Sequence, residues 1–297
     1  MEESDYRQWK AWNRQGLIPG LEETEEAFKA RAFFCLALEQ ELVKKVGADL
    51  PFDAGDQASQ EILKEGTIIT SDLYGIAPGW VPIFFNNYQL APWHGGCAWI
   101  FQLDEQTPTS AFLQLRAGFR KQKSYLALYD RQELIAHELA HVGRMMYHEP
   151  QFEEILAYRS SSSCWRRWLG PIVQSSKESL LFIFILGAVL MADLALLVLD
   201  QPINAGALWG LKLAPLALIA FALMRLIYKQ WLFTRCEKKL EELYANASDA
   251  AHLLYRLSDG EIRHFAHSTT DSIKAFMQEQ ATHSFRWQFL LGLYPLA

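Results

Sequence analysis

The run Leu134-Ile135-Ala136-His137-Glu138-Leu139-Ala140-His141-Val142 holds the residues best suited to chemistry in this chain. Residues four apart on a helix share a face, so His137 and His141 can offer imidazole nitrogens to one divalent ion at about 2.0 Å. Glu138, beside His137, can reach water on that ion and take its proton, which an ion such as zinc makes acidic near neutral pH. This constellation suits hydrolysis of a peptide bond, with Glu138 as general base and later as proton donor to the leaving amine. Positions 134–136, 139, 140 and 142 are uncharged, as expected of a helix buried beneath a reaction site. The competing reading is a pair of helix histidines with ordinary structural partners.

On these residues the chain resembles the zincin superfamily of HExxH metallopeptidases. The resemblance covers the motif helix, the strands just before it and the segment just after. It implies a zincin-like catalytic domain, Zn2+ as cofactor, a peptide or protein substrate, and an edge strand that holds the substrate as an added strand. Residues 98–103 or 111–116 would supply that edge. The metzincin form, HExxHxxGxxH, calls for a glycine at position 144 and a histidine at position 147, where this chain has Arg144 and Tyr147. Gluzincins take a glutamate from a second helix, several in the form ExxA, and Glu154-Ile155-Leu156-Ala157 has that form. The expected metal ligands are His137, His141 and Glu154. Glu153 and His148 stay open as alternatives, with Glu149, His94 and the C-terminal histidines behind them. Acidic residues after Pro150 also suit a helix start without binding anything. Tyr147, His148 and Tyr158 are candidates to steady the reacting carbonyl, and packing explains each equally simply. His264, His267 and Asp271 could share a helix face and bind a second metal, although a solvated face is the simpler reading.

Several elements must position these groups. Apolar spacing (Phe28, Ala32, Leu36, Leu38) predicts a helix over 22–40, continued more weakly over 57–64;. Residues 98–103 and 111–116 read as two strands of a hairpin around a turn-rich 104–110. Residues 125–141 read as the motif helix, with Asp130 near its start. The aromatic stretch 79–94 lines a cleft or packs the core, the second being the better reading. The expected fold class is α+β, with a small antiparallel sheet and an active-site helix in residues 1–170.

Residues 178–229 change the class of protein. Two apolar segments, about 180–199 and 205–228, are each long enough to cross a hydrocarbon core of about 30 Å. Residues 200–204 make a tight turn, so the pair reads as a transmembrane hairpin. Asp193 and Lys212 lie equally far from the turn and are expected to pair at matched depth. Arg159, Arg166, Arg167 and Lys177 precede the hairpin, and Lys229, Arg235, Lys238 and Lys239 follow it. The positive-inside rule then places both flanking regions in the cytoplasm. Trp165, Trp168 and Trp231 suit the interfacial aromatic belt, with Trp209 at the other face. Residues 230–297 read as a helical cytoplasmic region: an amphipathic stretch over 236–257, a break at 258–260, and a further helix over 261–280. The expected location is a membrane with two spans and both termini cytoplasmic, a bacterial inner membrane.

A formal net charge of -6 in 297 residues argues against nucleic acid as a partner;. Cys35, Cys97, Cys164 and Cys236 are widely spaced and form no CxxC pair, which suits free thiols in a reducing compartment;. The N-terminus is polar and lacks the apolar core of a cleaved signal peptide. The reading is therefore a membrane-anchored zinc endopeptidase. Its rival is a catalytically inactive membrane adaptor or scaffold with a vestigial or structural metal site. A transporter is disfavoured by two spans and few intramembrane polar groups.

Overall fold

The computed structural model describes residues 3–38, 53–104, 106–126, 129–173, 176–199 and 205–296. The chain is mostly helical with a small mixed sheet. Helix α1 (Glu3–Arg14) precedes α2 (Glu25–Leu36), whose first turn is capped by Thr24 Oγ1 accepting from the Ala27 N–H;. Helix α3 (Gln60–Tyr74) runs well past the weak signal at 57–64 and stops where Gly75 takes a left-handed φ of 67°;.

Strands β1 (Ile83–Phe85), β2 (Gly96–Phe101) and β3 (Ser110–Leu115) lie in the order β1-β3-β2. The expected hairpin forms, with Ala98 opposite Leu113 in an antiparallel ladder. The sheet as a whole is not antiparallel: β1 runs parallel to β3, with Ile83 also opposite Leu113. This strand comes from the aromatic stretch, and its three residues are all buried. An apolar run covered on both faces does not alternate, so its strand character was hidden in the sequence.

The motif helix starts at Arg131 rather than at Tyr125. Strands β4 (Ser124–Tyr125) and β5 (Tyr129–Asp130) pair as a short ladder, and Asp130 Oδ1 accepts from the Gln132 N–H at 2.9 Å to cap α4 (Arg131–Gly143). Helix α3 packs against α4 at close range. A Cβ on Gly66 would stand 2.4 Å from Ile135 Cγ2 and 2.9 Å from the Ala136 nitrogen. Gly66→Ala is expected to cost ~1–3 kcal/mol through overpacking, more than the roughly 1 kcal/mol of helix propensity that alanine returns. A lowered thermal midpoint checks this, and an unchanged one would mean that the two helices part freely.

Helix α5 (Glu153–Tyr158), helix α6 (Cys164–Leu169) and a 3₁₀ turn (Gly170–Ile172) lead into α7 (Ser176–Leu199) and α8 (Ala205–Leu243). Both α7 and α8 contain stretches long and apolar enough to cross a membrane. The turn over 200–204 lies outside the described residues. Lys212 Nζ and Asp193 Oδ1 stand 2.8 Å apart, as their matched distance from the turn requires. Asp193→Ala leaves that ammonium unpaired. Its expected cost is about 2 kcal/mol, below the roughly 2.5–3.5 kcal/mol of a charge at mid-bilayer because lysine can snorkel. Thermal unfolding in detergent and the inserted yield should both fall, and both should recover when Lys212→Met is added. Failure of the second change to rescue the first would show that the pair does not matter.

With 39 residues, α8 spans about 58 Å, nearly twice a hydrocarbon core;. Its far end carries Leu232, Phe233, Cys236 and Leu240 into the protein core. The amphipathic stretch expected over 236–257 is therefore the end of α8 followed by α9 (Ala247–Tyr255), which Asn246 caps. The helix expected over 261–280 is two, α10 (Asp259–His267) and α11 (Thr270–His283), because Thr269 caps a new start. Helix α12 (Phe285–Leu293) completes the chain. Trp12, Phe28, Ile135, Leu139, Leu156, Leu240, Leu253 and Trp287 belong to one buried cluster. The segments divided at 170 and 230 by the sequence pattern thus share a core.

Candidate metal centre

Helix α4 buries Ile135, Leu139 and Val142 in that core and turns His137 and His141 toward α5. The two Nε2 atoms are 3.3 Å apart. Glu154 Oε2 lies 3.7 Å from His137 Nε2, and Glu154 Oε1 lies 3.7 Å from His141 Nε2. The three side chains offer donor atoms within 4.8 Å of one another. Tetrahedral bonds of about 2.0–2.1 Å place neighbouring ligand atoms roughly 3.3–3.4 Å apart. The 3.3 Å between the two Nε2 atoms matches that spacing, a different Glu154 oxygen approaches each ring from slightly farther, and two imidazoles with a carboxylate have donor chemistry that suits zinc;.

Glu153 takes a different place. Its Oε1 is 2.8 Å from His141 Nδ1, on the far side of the ring from Glu154. A carboxylate there fixes the ring's orientation and directs Nε2 at the shared point. His148 is exposed with a φ of 52° and stands outside the triangle. Glu149 accepts from the Asp259 N–H, and exposed His94 uses its carbonyl for Arg116. His264 packs against Phe276, and His267 against Trp231. No second convergent group of this kind exists among the described residues.

Burial is the largest influence on Glu138, pushing its carboxyl up to about 7, with Glu154 and Glu153 adding to the rise. His141 and the Ala98 N–H oppose it. Burial, then the neighbouring His141, holds His137 well below the usual range. At His141 burial also acts downward, but the Glu153 hydrogen bond and the carboxylates of Glu154 and Glu138 raise it to about 9.

The Ala98 contact follows from the sheet. The Arg116 N–H donates to the Gly95 carbonyl at 2.8 Å. Alternation along an antiparallel pair then turns the backbone groups of Gly96, Ala98 and Ile100 away from β3, toward the open edge of β2;. Glu138 thus sits against an edge strand whose remaining N–H and C=O groups face outward. Of the three residues considered for carbonyl stabilisation, Tyr147 spends its hydroxyl on the Arg256 carbonyl at 2.7 Å. Tyr158 remains at the site, its ring 4.7 Å from that of His137. Burial pushes its hydroxyl up to about 12.

Helix α5 is too short to hold itself, and its start has no side-chain cap of its own;. Asp259, at the head of α10, supplies one: Oδ2 accepts from the Gln151 N–H at 2.7 Å and Oδ1 from the Phe152 N–H at 3.2 Å. Arg144 ties the end of α4 to the same region by donating to the carbonyls of Tyr255 and Leu257 at 2.6 and 2.9 Å. Sequence reasoning saw Asp259 only as part of a helix break, and nothing local to positions 258–260 pointed to a residue more than a hundred positions upstream. No family model matches the chain, and neither a curated protein nor a solved structure matches it.

Proposed function

We propose that the chain is a membrane-anchored, zinc-dependent endopeptidase of the HExxH zincin type, with His137, His141 and Glu154 as ligands and Glu138 as general base. The observation that carries this reading is the convergence of His137, His141 and Glu154, whose donor atoms lie within 4.8 Å of one another with the two Nε2 atoms 3.3 Å apart, and Glu138 next to them on α4. When bound, zinc polarises the scissile carbonyl and acidifies the attacking water. Glu138 accepts one proton of that water as its oxygen bonds to the carbonyl carbon. The same carboxyl then delivers the proton to the leaving nitrogen as the C–N bond breaks, which yields a carboxylic acid and an amine, and the acid's proton passes to the amine to leave a carboxylate and an ammonium. Tyr158 keeps its proton and can donate a hydrogen bond to the carbonyl oxygen. The open edge of β2 can hold the substrate as an added strand, through the backbone groups of Gly96 and Ile100 and the Ala98 carbonyl. Glu153 keeps His141 aimed, and Asp259 holds α5 in place.

The flanking basic residues support a topology with both regions beside the hairpin on the cytoplasmic side of the membrane. The reading is tested on detergent-purified full-length protein. The expected zinc content is close to one per chain, and a chelator should stop cleavage of an unfolded protein such as casein until zinc is restored. A protein that neither contains nor takes up zinc would overturn the reading.

A further inference from the structure

Building on the peptidase reading above, we infer that the substrates are membrane-inserted polypeptides, cut where they emerge from the bilayer on the face that carries α4. The ground for this is a short chain of contacts from the metal triangle to the root of the hairpin. The His137 ring meets the Tyr158 ring at 4.7 Å. Tyr158 lies so close to Gly170 that a Cβ there would stand 2.3 Å from the ring. Two residues on, the Ile172 carbonyl accepts from Arg225 Nη2 at 3.1 Å, and the same guanidinium grips the Glu178 carboxylate, with Nη2 to Oε2 at 2.9 Å. Glu178 stands just before the apolar face of α7 begins at Leu180. A 3₁₀ turn rises about 2 Å per residue, so the route from triangle to hydrocarbon edge is on the order of 15 Å.

A second route is independent of the first. Glu133 lies one turn before His137 on α4 and accepts from the Ser162 N–H at 2.9 Å and from Arg166 at 2.6 Å. This fastens α4 to the start of α6. That short helix presents Trp165 at 75% exposure and Trp168 at 43%. Tyr228 and Trp231 on α8 are likewise exposed and stacked on each other. Exposed tryptophan with arginine beside the base of two apolar helices is the chemistry of a lipid headgroup layer. Both routes tie the helix that carries the metal ligands to the base of the hairpin through a few side-chain contacts. About five extended residues of a chain leaving the bilayer cover a distance of the order of the first route.

The test uses the full-length protein with zinc in phospholipid vesicles. Its probe is a single apolar helix followed by a 60-residue unstructured tail built from four sequence blocks, prepared with the blocks in both orders. Mass spectrometry maps the cuts. We expect them to cluster in the first 15 or so tail residues in both orders, and Glu138→Gln to produce none. Cuts that follow one block wherever it is placed would overturn the inference while leaving the peptidase reading intact. No cuts in either tail while casein is still cleaved would overturn the inference alone, and no cleavage of either would overturn both. A readout that needs no activity uses the exposed Cys164. A fluorophore placed there, in a Cys97→Ala background, should be quenched by headgroup-labelled lipid. Quenching by water-soluble agents alone would overturn the placement.

Discussion

Glu138→Gln is expected to keep one zinc per chain and to slow peptide hydrolysis by about 10²–10⁴-fold, the range that a positioned general base contributes. The amide has nearly the shape of the carboxyl and can still accept from the Ala98 N–H, so α4 and β2 keep their relation. The imidazoles of His137 and His141 and the carboxylate of Glu154 are untouched, so metal uptake should persist. What the amide lacks is the capacity to hold the water's proton and pass it to the leaving nitrogen. Zinc analysis beside the cleavage rate separates this from misfolding. Undiminished cleavage by the zinc-loaded variant would remove Glu138 from the reaction.

The second large effect separates two adjacent glutamates. Glu153→Gln is expected to weaken zinc binding about 10–100-fold, the usual loss when a group that orients a ligand is removed. Glu154→Ala should weaken it further, beyond about 100-fold, because a donor atom itself is lost from a three-residue set. The geometry sets this order. Glu154 spans both Nε2 atoms at 3.7 Å, outside hydrogen-bond range, whereas Glu153 makes a 2.8 Å hydrogen bond to the opposite nitrogen of His141. Competition with a chromophoric chelator measures both variants on one scale. The reverse order, with Glu153→Gln the more damaging, would make Glu153 the ligand.

How much of this could be read from the chain depended on how local each feature was. The shared face of His137 and His141 follows from a spacing of four on a helix. Residues 98–100 and 111–113 pair as the hairpin pattern predicts, with the first strand starting two residues earlier at Gly96, because a strand with a close neighbour in sequence carries its own signal;. Strand β1 carries none, since it is short, fully buried and paired with a partner thirty residues away;. Helix α4 starts six residues later than its sequence pattern suggests because the residues before it pair in a two-strand ladder. In the candidate site, the choice between Glu153 and Glu154 depends on the path of residues 144–152, whose backbone is irregular and includes the left-handed His148.

The sequence by itself determined the features set by helical repeat and by length: the histidine pair with its glutamate, the two apolar segments, and the charges at matched depth within them. These interactions stay within a turn, or within a hairpin whose symmetry is visible in the chain. Only the tertiary structure decided which glutamate meets both rings, that Asp259 caps α5, and that the end of α8 enters the same core as α4. Those contacts join residues far apart in sequence, and burial of apolar surface, which is non-directional, drives them together without leaving a local pattern to read.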